Sequence, residues 1–221
     1  MNQLEYIQQD TGENPDASVI WLHGLGANGH DFEPVVPELG LPQGASVRFI
    51  FPHAPEIPVT INGGIRMPAW YDIKSLELGR TVDKDQLVAS AQAVAALVEH
   101  EIDRGVKSER IVIAGFSQGG AVAYELGLSY PKPLAGILAL STYFATADTV
   151  QCSDANRNIP ISVFHGTHDP MIPEALGRAS VEKLQAMGYQ ADYQTWPMEH
   201  AVCLEEIHAI GEFLRNVLVL R

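Results

Sequence analysis

A chain of 221 residues, 46% of them apolar, has enough hydrophobic material to fill the core of one α/β domain, expected to span residues 1–221. Its formal net charge of −13 argues against nucleic acid or an anionic lipid surface as partner, since both would repel it. No apolar run approaches the ~20 residues that span a bilayer, and Met1-Asn2-Gln3-Leu4-Glu5 has neither the basic nor the apolar stretch of a secretory signal, so a cytoplasmic protein with reduced thiols and no membrane anchor is expected.

In chain order, a short strand over Leu4 to Gln8 precedes Ser18-Val-Ile-Trp-Leu22, a compact apolar run that reads as a buried strand and ends in His23-Gly24-Leu25-Gly26. Phe32 to Leu39 reads as a short helix interrupted by Pro34 and Pro37, and Val47 to Phe51 as the next strand. From about 52 to 79 prolines and apolar residues follow one another without helical or strand rhythm, and a long irregular segment of this kind inside a domain is usually functional. Thr81 to Arg104 is the clearest helix: Leu87, Ala91, Val94, Val98 and Ile102 share one face at spacings of three and four, and Gly105 closes it. Further buried strands are expected at Ile111 to Ala114, Ala135 to Leu140 and Ile161 to Phe164. A last alternating strand follows at Ala191 to Trp196, with helices over Ala121 to Tyr130, Glu174 to Met187 and Leu204 to Leu218. Strands alternating with helices imply a mostly parallel central sheet with helices on both faces, in which ligands bind at the carboxyl ends of the strands.

Ile111-Val-Ile-Ala runs directly into Gly115-Phe-Ser117-Gln-Gly119 and then into a helix. This is the pattern of a nucleophile elbow, in which a serine sits on a sharp strand-to-helix turn with its hydroxyl above the sheet and glycines where a Cβ would clash. The amide of Gln118 then lies at a helix N-terminus, able to face a developing oxyanion. A second donor is needed from the loop after an early strand, and the amide of Leu25 in the His23-Gly24-Leu25-Gly26 turn is the candidate.

A serine hydroxyl needs a base to remove its proton, and the base needs a third group to fix its tautomer. Downstream of Ser117, the Ile161 to Phe164 strand delivers His165-Gly-Thr-His168-Asp169, and the Ala191 to Trp196 strand delivers Pro197-Met-Glu199-His200. Asp169 is therefore the expected acid and His200 the expected base, in the order Ser, Asp, His. The rivals are His165 and His168, which share a loop with Asp169; His208 on the closing helix; and Asp154, Asp192 and Glu199. A metal reading of His165, His168 and Asp169 matches no standard zinc spacing, so no metal is expected.

Taken together, His23-Gly-Leu-Gly-Ala-Asn-Gly-His-Asp-Phe32, Phe51-Pro-His-Ala-Pro55, Pro58-Val-Thr-Ile-Asn62, Trp70-Tyr-Asp72, Gly115-Phe-Ser-Gln-Gly-Gly120, Gly166-Thr-His-Asp-Pro-Met-Ile-Pro173 and His200 resemble the bacterial branch of the carboxylesterase, acyl-protein thioesterase and lysophospholipase family. The resemblance covers essentially the whole chain. It implies an α/β-hydrolase fold without a large cap domain, hydrolysis of carboxylic esters and thioesters, no cofactor, a triad of Ser117, Asp169 and His200, and oxyanion donors at Leu25 and Gln118. It also implies that the irregular segment forms a loop that helps hold the acyl chain, with Ile61, Ile65, Met67 and Trp70 as candidate lining. The eukaryotic thioesterases carry an N-terminal cysteine open to palmitoylation where Asn2 stands here, so recruitment by lipidation is not expected.

The expected activity is a serine carboxylesterase acting on small-molecule esters of short to medium acyl chains. The alternative with the same catalytic residues is a thioesterase or lysophospholipase acting on long chains. A non-catalytic binding module on the same fold is the reading from a different class, and the complete set of triad residues speaks against it. A homodimer is compatible with the sequence, although no periodicity marks an interface.

Overall fold

A computed structural model describes residues 3–76 and 80–220. Asn2 and positions 77–79, the last of the expected irregular segment, lie outside the described residues. The elements run β1 (Tyr6–Asp10), β2 (Ala17–Leu22), a 3₁₀ helix (Glu33–Leu39), β3 (Val47–Pro52), β4 (Glu56–Val59), a 3₁₀ turn (Thr60–Asn62), β5 (Ile65–Pro68), β6 (Ile73–Ser75), β7 (Thr81–Val82) and α1 (Lys84–Asp103). After a 3₁₀ turn at Ser108–Arg110 come β8 (Ile111–Phe116), α2 (Gln118–Ser129), β9 (Gly136–Leu140), a 3₁₀ turn at Asp154–Asn156, β10 (Ile161–Gly166), α3 (Glu174–Ala186), β11 (Ala191–Trp196) and α4 (Leu204–Val217).

The central sheet has seven strands in the order β1-β3-β2-β8-β9-β10-β11. β1 pairs antiparallel with β3, and every other neighbouring pair in this sheet is parallel. Each parallel pair needs a crossover, and the helices that make the crossovers cover both faces. On one face α1, α2 and α3 bury Leu87, Val94, Val98, Val122, Leu126, Val181 and Leu184 with Ile20, Ile50, Ile113 and Ile137. On the other, the first 3₁₀ helix and α4 bury Val36, Leu39, Ile210, Phe213 and Leu214 with Val19, Trp21, Phe49, Val112 and Leu138. Strands β2, β3, β8, β9 and β10 are buried at nearly every position because both faces are covered, which is why they read as unbroken apolar runs.

α2 is the central helix, buried from Gln118 to Leu128. It lies flat on the sheet because Gly120 and Gly127 carry no Cβ: one built there would stand 2.5 Å from Thr142 Cγ2 and 2.4 Å from Ile137 Cγ1. At the opposite end of the sheet from the strand termini that carry the motifs, the buried Glu101 carboxylate ties α1 to β2 and β3. It accepts from Ser18 Oγ at 2.5 Å, Arg48 Nη1 at 2.9 Å and Arg104 Nη1 at 2.9 Å. A buried carboxylate with three donors is satisfied, whereas removing one partner of such a group typically costs about 3–5 kcal/mol.

Two expectations are corrected. The stretch after β3 is not irregular: β4 and β5 form an antiparallel hairpin with Glu56 opposite Pro68 and Val59 opposite Ile65, and β6 pairs antiparallel with β7. Its prolines hide the rhythm, yet they are tolerated because both strands of a two-stranded ribbon are edges and need no ladder donor on their outer side. The long helix starts three residues later than its periodicity suggests, since Thr81 and Val82 pair with Ser75 and Ile73. Asp83 then caps it by accepting from the amide of Gln86.

Candidate active site

The carboxyl ends of β2, β8, β10 and β11 lie at one end of the sheet, because these strands are parallel, and each delivers one of the motifs. Ser117 sits between β8 and α2 at φ 53°, ψ −119°, a left-handed conformation that costs a non-glycine residue about 1–3 kcal/mol. Three bonds hold it there. Its amide donates to Leu140 O at 2.9 Å, and its carbonyl accepts from Thr142 Oγ1 at 2.6 Å and from the Gly120 amide at 3.0 Å. The flanking glycines are dictated by contact rather than by φ. A Cβ on Gly115 would lie 2.3 Å from Gly119 O, and one on Gly119 would lie 2.5 Å from Leu22 O.

The other two expected residues reach this serine. His200 Nε2 stands 3.0 Å from Ser117 Oγ, and His200 Nδ1 stands 2.7 Å from Asp169 Oδ2. The loop carrying His200 can close onto β10 because Gly166 has no side chain: a Cβ there would meet Met198 O at 2.3 Å. The His200 ring also packs on Phe116, with centroids 4.7 Å apart. Asp169 is buried, and its Oδ1 accepts from the amides of Met171 and Ile172 at 2.8 Å each. Burial by itself would raise this carboxyl, but the bond from His200 and the two amide bonds outweigh it and hold its pKa below the ordinary aspartate value. An ionised Asp169 only accepts, so His200 keeps its proton on Nδ1 and donates it to Asp169 Oδ2, which leaves Nε2 as the acceptor facing the serine.

Leu25 and Gln118 lie beside Ser117, and among the described residues neither of their backbone amides has an intramolecular acceptor. Gly24 lets the Leu25 loop approach the serine, since a Cβ on it would touch Phe116 Cδ1 at 3.3 Å and Ser117 Cβ at 3.4 Å. The cavity above Ser117 measures about 200 Å³ and is lined chiefly by Leu25, Ile61, Ile73, Leu76, Phe116 and Met171. A larger space of about 610 Å³ lies next to it and shares Arg80 and Tyr143 with it, but holds neither the serine nor the histidine.

Of the four expected groove residues, Ile61 lines the cavity. Ile65, Met67 and Trp70 do not. Ile65 is 64% exposed on the β4–β5 hairpin, and Met67 lies on the same hairpin with its sulfur accepting from Asn62 Nδ2 and standing near Gly26. Trp70 is buried, and its indole is spent on the carbonyl of His23. Leu76, Ile73, Phe116, Met171 and Ile172 were not expected in the lining. For Met171 and Ile172 a signal existed: the amides two and three residues after an aspartate are those its side chain captures in an Asx turn.

The rivals to Asp169 and His200 lie elsewhere. His165 is buried beneath Asp169 with Nε2 at 2.8 Å from Ile172 O, and burial, opposed by that bond, lowers its pKa. His168, His208, Asp154, Asp192 and Glu199 are exposed. Among the described residues no group of three or more His, Cys, Asp or Glu is arranged to hold a metal ion, and no helix is long and apolar enough to cross a membrane.

Residues 4–218 match the model of the phospholipase/carboxylesterase family. The chain is 41% identical over 213 residues to acyl-protein thioesterase 1 of Gibberella zeae, covering 91% of each chain. Among solved structures, SOBER1 of Arabidopsis thaliana superposes with a TM-score of 0.85 at 29% identity, over 91% of this chain and 99% of that one. Acyl-protein thioesterase 2 of Zea mays superposes with a TM-score of 0.84 at 25% identity, over 97% and 99%.

Proposed function

The chain belongs to the phospholipase/carboxylesterase family, has the α/β-hydrolase fold and is a serine hydrolase, and from that premise we propose that it cleaves acyl thioesters and esters through Ser117, His200 and Asp169, with long-chain acyl thioesters as its preferred substrates. The observation that carries the reading is the continuous chain of hydrogen bonds from Asp169 through His200 to a serine held at positive φ. In the first half-reaction Ser117 Oγ attacks the acyl carbonyl while His200 Nε2 takes its proton. Asp169 stabilises the imidazolium, and the amides of Leu25 and Gln118 hold the oxyanion. His200 then gives the proton to the departing thiolate or alkoxide. Water enters, loses a proton to His200, attacks the acyl-enzyme and releases the acid, and the proton returns to Ser117.

The expected carboxylesterase of short to medium chains gives way to the thioesterase reading on two grounds. One is the 41% identity to a protein named acyl-protein thioesterase. The other is the apolar rim: Leu76 and Met171, 55% and 58% exposed, line the mouth of the cavity, and Ile65 stands out on the β4–β5 hairpin. A large exposed apolar side chain at a site mouth is a surface a long acyl chain would cover. The short-chain reading keeps one observation in its favour, since about 200 Å³ is below the ~300 Å³ at which most ligand pockets begin.

The deciding measurement is kcat/KM across an ester series from acetyl to palmitoyl, set against a palmitoyl thioester, with Ser117→Ala as control. Rates that rise with chain length and favour the thioester support the proposal. A maximum at two to six carbons with no advantage for the thioester would return the enzyme to the short-chain esterases.

A further inference from the structure

We infer that His23 and Trp70 are positioning residues that clamp two successive peptide planes so that the Leu25 amide faces the oxyanion. The inference rests on the proposed role of Leu25.

The carbonyl of one peptide unit and the amide of the next residue belong to the same rigid plane and point in opposite directions. Fixing the carbonyl therefore aims the amide. The His23–Gly24 plane is fixed by Trp70, whose Nε1 donates to His23 O at 2.9 Å. The Gly24–Leu25 plane is fixed by the imidazole of His23, which stands with Nδ1 at 2.7 Å from Gly24 O. The Ala27 amide adds a weaker bond to the same carbonyl at 3.2 Å, and the Gly26 amide donates to Pro68 O at 2.8 Å. With the His23 and Gly24 carbonyls and the Gly26 and Ala27 amides of this turn engaged, the Leu25 amide is left without an intramolecular partner among the described residues, beside Ser117 and Gln118.

The tautomer of His23 follows from its two contacts. A carbonyl only accepts, so Nδ1 carries the proton, and the Ala54 amide at 3.0 Å only donates, so Nε2 is bare. Protonated His23 would set one N–H against another at Ala54. Burial lowers its pKa to about 4, against the raising effect of the Gly24 carbonyl, so the neutral ring that the contacts require is the one present near neutral pH. His23 is 2% exposed and its ring packs on Trp70 at 5.2 Å between centroids.

The clamp is tied to the nucleophile elbow by the side chain of Gln118. Its Oε1 accepts from the Trp70 amide at 2.7 Å and its Nε2 donates to Tyr71 O at 2.6 Å, while Ser90 Oγ donates to the Trp70 carbonyl. One residue thus supplies the amide of one proposed oxyanion donor and anchors the tryptophan that holds the peptide plane preceding the other. Trp70, expected from the sequence to touch the acyl chain, acts here from behind the loop.

The test compares Trp70→Phe, which keeps an aromatic ring and removes the N–H donor, with His23→Ala and His23→Asn, whose amide nitrogen stands near the lost Nδ1. Steady-state kinetics on a soluble ester are read beside inhibition by a trifluoromethyl ketone, whose hemiketal oxygen occupies the oxyanion position. Trp70→Phe should lower kcat and ketone affinity together, by about 10- to 100-fold, with KM within about twofold, because only the charged oxygen feels the misaimed amide. His23→Ala should do the same more strongly, and His23→Asn should recover part of the loss. A folded Trp70→Phe enzyme with kcat and ketone affinity within twofold of the native values would overturn the inference. So would a loss confined to melting temperature. Fluorophosphonate labelling of the native enzyme that Ser117→Ala abolishes tests the underlying serine mechanism separately. Its absence would sink that mechanism, whereas normal labelling together with an unaffected Trp70→Phe enzyme would overturn the clamp alone.

Discussion

Replacing Asp169 by Asn changes one atom pair and should nearly silence the enzyme. The Asp169 Oδ1 position faces two backbone amides, Met171 and Ile172, each at 2.8 Å. Both can only donate, so the amide oxygen of the substituted side chain must stay there, and its NH₂ must turn toward His200. That places a donor 2.7 Å from His200 Nδ1, where Asp169 now accepts. The imidazole responds by moving its proton to Nε2, and the nitrogen facing Ser117 Oγ at 3.0 Å becomes a donor with no lone pair for the serine proton. An inverted tautomer of this kind costs a serine hydrolase about 10⁴ in kcat, or about 5.5 kcal/mol on the barrier. The fold should be little affected, because the two amide bonds survive. The assay is kcat on a soluble chromogenic ester near neutral pH, with circular dichroism to confirm folding. A folded Asp169→Asn enzyme that keeps more than about a tenth of native kcat would refute the assignment of Asp169 as the group that orients His200.

Three further outcomes are expected. Gly119→Ala should destabilise the protein by about 3 kcal/mol and lower its melting temperature by about 6–12 °C, because the new Cβ would lie 2.5 Å from Leu22 O and 2.7 Å from His23 O, both backbone atoms; a melt within 2 °C of native would show that the elbow can yield. Burial raises the pKa of Glu206 to about 8, above its unfolded value near ~4.3, so its contribution to stability is full below that lower value and is lost as pH rises through about 8. Glu206→Gln should therefore be more resistant to urea than the native protein at pH 9, and between pH 6 and pH 9 the native protein should lose about 3 kcal/mol more stability than Glu206→Gln; an equal loss in both would show that another group titrates. Finally, Ile61→Phe should shorten the cavity and lower kcat/KM for long acyl chains by about tenfold while sparing acetyl esters, and a uniform change across the series would mean that the chain does not pass Ile61.

Much of the site is legible in the sequence for a reason specific to this fold. Parallel strands covered on both faces announce themselves as apolar runs, and the motifs of Ser117 and Asp169 follow directly on two of them while His200 follows the alternating edge strand β11, so all three can be placed at one end of a sheet without knowing the strand order. The stretch from Pro52 onward is hidden for the converse reason. A two-stranded ribbon at the surface needs neither an apolar face nor a complete ladder, so Pro58 and Pro68 can stand within strands and erase the alternation. Trp70 shows a third limit. Its type announces a large buried ring, but whether that ring meets an acyl chain or a backbone carbonyl depends on where the hairpin folds over the β2 turn.

The amino-acid sequence by itself determined the class of chemistry, that of a serine hydrolase, and named the groups proposed for it: a serine on a glycine-flanked turn, an acid and a base in order behind it, and a glycine loop ahead of it, since these are local patterns set by backbone sterics and side-chain type. Only the tertiary structure decided what surrounds that chemistry. The 3.0 Å and 2.7 Å bonds of His200, the enclosure of about 200 Å³ and the clamp of His23 and Trp70 on the Leu25 loop depend on segments far apart in the chain coming together. Such distances are fixed by how helices and loops pack on the sheet, and no local stretch of sequence contains them.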